Sequence, residues 1–241
     1  MPRPSARAEQ EIAAFAEEMR VALGEELLCL ILHGSAAGED WVAGHSDINT
    51  ALVVPRVTLA VLERLATLVT RWRARGFALP VVMDSEYLRR ARDTFPIELA
   101  DIGRQRRLLA GTDLFADLSL DPAALRHECE REARGKLLRL RALFLETART
   151  PAAIEQLMVE SAKSFAVVLR HVLYLRKVAG GPRYGDVVAA GEPIVGPLPV
   201  MAKLLAQRGG ERLPPAALRA EFGAYLAEVE RIVEAVDALD A

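Results

Sequence analysis

HGSAAGEDWVAGHSDINTALVV, residues 33–54, is the stretch whose reading decides the fold. It follows and overlaps LLCLILH, residues 27–33, a continuous apolar run that predicts a buried strand. That run ends in Gly34-Ser35, small residues whose backbone N–H groups a phosphate can approach closely. Eleven residues then separate Ser35 from Asp47, and INTALVV, residues 48–54, predicts a second strand stopped by Pro55. Carboxylates two apart on a strand point to the same face, so Asp-x-Asp here would present hard oxygen ligands for Mg²⁺. The second of those positions holds Asn49.

Outward from this stretch the first half alternates helix and strand. Residues 5–26 carry Ile12, Phe15, Met19 and Leu23 at helical spacing, with Gly24 as the stop. Residues 58–76 predict a helix capped by Thr58 and closed by Gly76. LPVVM (79–83), PIELADI (96–102) and RLLAG (107–111) predict three further strands, with a short helix around 85–93. Near Asp121-Pro122 the texture changes. Residues 122–148 keep a helical period, and 150–180 open with Thr150 as cap and Pro151 at the first helical position. Residues 180–199 read as turn-rich, followed by a short helix from 200 and a last helix over 215–239. The expectation is an α+β protein. A small mixed sheet with helices occupies residues 1–120, and an all-α bundle occupies 121–241.

Composition narrows the function classes. With 241 residues, 51% hydrophobic and 27% charged, the chain can bury a real core and has no disordered signature. A net charge of −2 argues against a general nucleic-acid coat, which needs a basic field. No apolar run approaches the ~20 residues of a membrane span, and the charged N-terminus lacks a leader's apolar region, so a cytoplasmic location is expected. Cys29 and Cys129 sit in apolar or helical contexts without a C-x-x-C and read as buried thiols. The histidines and acids lack zinc-motif spacing, and neither Ser35 nor Ser46 lies in a G-x-S-x-G elbow.

An apolar strand, Gly-Ser, about a dozen residues and then Asp-x-(Asp/Glu) between apolar neighbours resembles the DNA polymerase β-like nucleotidyltransferase superfamily. Gly34, Ser35 and Asp47 match that motif; Asn49 departs from it. The resemblance implies a third acid from a later strand. Ile97-Glu98-Leu99 gives the apolar-acid-apolar pattern, with Asp84 and Asp101 as other candidates. It implies a helical C-terminal half like that of the antibiotic nucleotidyltransferases. It also implies Mg²⁺ held by Asp47, Asn49 and Glu98, which form the catalytic set, with the nucleotide held by Gly34, Ser35, Ser46 and Lys163.

The activity so implied is transfer of a nucleoside monophosphate from an NTP to a hydroxyl of a small molecule or protein. The alternative is a degenerate member that binds nucleotide or a protein partner without catalysis, as in a toxin–antitoxin pair. A homodimer is left open. Each residue also has a plainer reading. Gly34-Ser35 ends a strand, Asp47 caps a turn, Glu98 is solvated, and His33 and His45 are a strand-end and a loop histidine. Lys163, the only charge among small and apolar neighbours, either reaches a triphosphate or snorkels from an apolar face.

Overall fold

A computed structural model describes residues 4–38, 47–116, 118–206 and 217–239. The chain divides into two compact units, Met1–Asp121 and Pro122–Ala241. The first contains α1 (Ala6–Leu23), β1 (Cys29–His33), β2 (Asn49–Val54), α2 (Leu59–Arg73), β3 (Val81–Asp84), α3 (Ser85–Arg90), α4 (Pro96–Arg104) and β4 (Arg106–Gly111). The four strands form one sheet in the order β3-β2-β1-β4. β1 runs antiparallel to both β2 and β4, and β2 runs parallel to β3, so the sheet is mixed.

Local signals explain the first elements. Ser5 caps α1 by accepting from the Ala8 N–H, and Thr58 caps α2 by accepting from Val61. Alternation along β1 and β2 then sorts side chains onto two cores. Leu30, Leu32, Leu52 and Val54 pack with Phe15 of α1 and Trp72 of α2. Phe15 stacks on Phe77 at 4.7 Å and meets Trp72 edge-on at 5.5 Å. Cys29, Ile31, Ala51 and Val53 face the other way, toward Leu88 of α3 and Leu99 and Ile102 of α4.

PIELADI is a helix and not a strand, which corrects the expectation for residues 96–102. Alternating Ile97 and Leu99 fit either element. Pro96 at the helix start, where φ is already set and no N–H is needed, favours α4, and Glu98 in its first turn complements the helix dipole. Pro96, Leu99 and Ile102 then fall three apart on the buried side.

The second unit contains α5 (Pro122–Thr147), α6 (Pro151–Leu175), α7 (Tyr184–Val195), α8 (Pro199–Ala206) and α9 (Leu218–Asp237). α7 corrects the turn-rich reading of 180–199. Its apolar residues Val187, Val188 and Val195 are buried, and this outweighs the helix-breaking Pro193 in its last turn. Gly191 lets α7 lie close to α6, because a Cβ there would stand 2.5 Å from Leu169.

A buried acid organises the middle of this bundle. Glu228 of α9 is 3% exposed. Its carboxylate accepts the N–H groups of Val200 and Met201, each at 2.8 Å, and so satisfies the first turn of α8. Burial pushes its pKa up, and the two backbone hydrogen bonds oppose that shift. Glu192 accepts the Leu198 N–H at 2.9 Å just before the same helix. Replacing Glu228 with alanine would strand two buried donors. Glu228→Ala should therefore destabilise the chain by about 2–3 kcal/mol. Glu228→Gln, which keeps an acceptor oxygen, should cost less. A urea midpoint that is unchanged in Glu228→Ala would contradict this account.

Candidate functional site

β1 delivers His33 to the edge of the sheet and passes directly into a 3₁₀ turn over Gly34–Ala37. Gly34 has φ +71°, a left-handed conformation that side chains resist, so the glycine is a requirement of the turn. Its N–H donates to Gln105 O at 3.1 Å, which ties the turn to the junction of α4 and β4. Ser35 is half-buried, and its hydroxyl makes no hydrogen bond among the described residues. A cavity of about 340 Å³ lies on this turn, walled by Ala36, Ala37, Gly38, Arg106 and Arg107 among others. Arg106 is held by Asp113 at 2.9 Å and Arg107 by Glu9 at 2.8 Å.

The β1–β2 register sets His33 opposite Asn49. An added Cβ on Gly34 would stand 3.5 Å from Asn49 Nδ2, so the amide lies against the turn. The same Nδ2 donates back to Asp47 O at 3.5 Å. The structure thus gathers Gly34, Ser35 and Asn49, with Asp47 exposed at the entry to β2. Ser46 and His45 lie outside the described residues.

The sheet supplies no further acid beside Asn49. β3 pairs with β2 in parallel from Ala51↔Val81 to Val54↔Asp84, which sets Asp84 at the far end of β2 from Asn49. There Asp84 caps α3 by accepting the Tyr87 N–H at 2.7 Å. Before β3 the register shifts by one residue, with a parallel bridge Ile48↔Phe77 and the Ala78 N–H donating to Ile48 O, so the stretch alongside Asn49 is Phe77, Ala78 and Leu79, none of them an acid. Glu98 is exposed in the first turn of α4 and sits on no strand. Asp101, one turn further on, is close enough that its charge acts on His33. Lys163 is exposed on α6 of the second unit, between buried Ala162 and Phe165.

His33 is more than the satisfied strand-end histidine its sequence context suggests. Its Nε2 is buried and has no hydrogen-bond partner among the described residues. Burial lowers its pKa, against the opposing pull of Asp101 and of a backbone hydrogen bond at Thr50. Nothing in the local sequence marks this pairing. It arises because α4 packs under β1, and the sequence predicted a strand where α4 stands.

For Mg²⁺ the donors around Asn49 among the described residues are one carboxylate (Asp47), one amide oxygen (Asn49) and one hydroxyl (Ser35). Among the described residues no group of three or more His, Cys, Asp or Glu side chains converges to hold a metal ion. A two-metal clamp built from carboxylates does not fit this set.

No protein-family model matches the chain, and no curated protein matches it. Its fold matches the crystal structure of spectinomycin adenyltransferase AAD(9) from Enterococcus faecialis with ATP and spectinomycin. The TM-score is 0.56 at 11% identity, over 92% of this chain and 99% of that one. The architecture is therefore α+β and nucleotidyltransferase-like, a four-stranded mixed sheet followed by a helical C-terminal part.

His33 gives a pH prediction. A histidine whose folded pKa is depressed adds stability that is present above its unfolded pKa and lost as pH falls through the folded one. The melting temperature should drop as pH falls below 6.5, and His33→Gln should flatten that slope. Equal slopes in both proteins would assign the acid sensitivity elsewhere. A second expectation concerns the turn: Gly34→Ala should lower stability by about 1–3 kcal/mol through backbone strain, read as a shift in urea midpoint.

Proposed function

We propose that this chain is a nucleotidyltransferase-fold protein that binds a nucleoside triphosphate at the Gly34-Ser35 turn and has lost most or all of the transfer chemistry. One observation carries the reading. Asn49 stands against the turn where the superfamily motif has its second acid, and the stretch that runs alongside it ahead of β3, Phe77 to Leu79, brings no acid to its side. An amide can ligate a cation but brings no charge. At an effective dielectric of ~20, losing one anionic ligand beside a divalent ion costs a few kcal/mol. That is on the order of 10²–10⁴ in rate if the ion acts in the transition state.

The phosphate-facing features are kept. Gly34 holds its left-handed turn, Ser35 follows it half-buried, and Asp47 remains at the strand entry. The fold neighbour was solved with ATP, which supports an NTP as the ligand class. Its spectinomycin supports a small hydroxyl-bearing molecule as the second ligand class.

A second reading keeps catalysis, with Glu98 or Asp101 of α4 providing the missing acid. The charge of Asp101 acting on His33, the residue before Gly34, favours it.

Calorimetric titration with ATP, GTP, CTP and UTP, with and without Mg²⁺, separates these readings from an empty fold. The proposal expects at least one nucleotide to bind wild type and Ser35→Ala to weaken it. It also expects no pyrophosphate release when spectinomycin is the acceptor. No binding of any nucleotide sinks the proposal, and pyrophosphate release moves the conclusion to the second reading.

Asn49→Asp is the complementary variant, since the side chains are nearly isosteric. It should gain Mg²⁺-dependent thermal stabilisation following RT ln(1 + [L]/Kd), about 2.7 kcal/mol at 100 Kd, where wild type gains little. A variant that responds to Mg²⁺ no more than wild type would show that the missing charge at position 49 is not what limits metal binding.

A further inference from the structure

We propose that the outer face of α5 is a self-association surface that pairs two copies of this chain antiparallel about Ala142. The face lies opposite the one buried in the bundle, where Leu125, Cys129, Ala133, Leu137 and Leu140 pack inward. On the outer side Gly135, Leu138, Ala142 and Leu145 recur at spacings of three, four and three, the seam of a coiled coil. Leu138 is 65% exposed and Leu145 is 81% exposed. Scattered exposed leucines mean nothing, but two on one heptad seam flanked by small residues form a packable stripe. Gly135 belongs to that stripe for a reason its own fold does not supply. A helix-interior glycine costs about 1 kcal/mol relative to alanine, and no atom stands within 4 Å of where its Cβ would be.

Charge identifies the occupant. Arg139 and Glu146 lie on one flank of the seam, are both exposed, and form no ion pair among the described residues. A twofold axis through Ala142 carries residue 142 + k onto the height of residue 142 − k. Leu138 then stands one residue, about 1.5 Å, from the height of Leu145 of the second copy on one flank. On the other flank Arg139 stands about 1.5 Å from the height of Glu146 of the second copy, within reach of its long side chain. Each contact occurs twice. A parallel pairing brings opposite flanks together and would instead set Arg139 against Arg134 of the second copy, two like charges. The antiparallel self-pair therefore uses both unpaired charges and both exposed leucines together. A single helix pair lies at or below the low end of specific interface area, so the association should depend on concentration in the micromolar range.

Analytical ultracentrifugation of the full chain from low to high micromolar concentration tests this directly. Wild type should dimerise, and Leu145→Glu should weaken the dimer at least tenfold with an unchanged melting temperature, since Leu145 touches little of its own fold. Arg139→Glu should also weaken it about tenfold, and Arg139→Glu with Glu146→Arg should restore it. Ala142→Cys should cross-link copies through a short bismaleimide, because the axis passes there, whereas Cys29 and Cys129 are buried. A wild-type monomer throughout that range, a dimer indifferent to Leu145→Glu, or a double charge reversal that fails to restore pairing would each overturn the proposal. None of these outcomes bears on nucleotide binding.

Discussion

The first unit depends on β1 being hydrogen-bonded on both edges and buried on both faces. Cys29, Leu30, Ile31 and Leu32 are fully buried, and β2 and β4 pair with either side of them. A strand in that position cannot slip by one residue, because a slip would exchange its two packed faces. With the register fixed, the next residues have little freedom. The chain must leave the sheet at His33, and the left-handed Gly34 turns it there while its N–H is taken by Gln105. The turn at Gly34-Ser35 is thus a consequence of how the central strand ends.

The same register decides what stands around the turn. Antiparallel pairing brings Asn49 to His33, on the face toward α4, and parallel pairing fixes which part of β3 can approach Asn49. Alongside Asn49, ahead of β3, the chain has Phe77, Ala78 and Leu79, while its nearby acids serve other ends. Asp84 caps a helix, Glu98 faces outward from a helix start, and Asp101 acts on His33.

In the second unit the unusual features are a polar group inside and apolar groups outside. Glu228 is tolerated in the bundle because two backbone donors at the start of α8 need an acceptor there. Leu138 and Leu145 on the outer side of α5 have no such compensation within the chain. Elsewhere α5 is tied down conventionally, through Arg134 to Asp237 and Arg141 to Glu230 on α9. The seam between those ties and the buried face is what remains open.

The sequence alone was enough for the elements whose signals are local. Capped helices at Ser5 and Thr58, the apolar runs of β1 and β2, and the Gly34-Ser35 turn all follow from side-chain period and capping chemistry within a few residues. It was not enough for residues 96–102, where an alternating Ile-Glu-Leu suits strand and helix alike, and only packing beneath β1 chose the helix. It missed α7 because the prolines and glycines of 180–199 are strong local breakers, outweighed by valines that find a core on α6. The partners of Asn49, the isolation of Asp84 and the link between His33 and Asp101 belong to tertiary structure alone. Each depends on strand register or helix docking between residues far apart in the chain, and no local pattern encodes those.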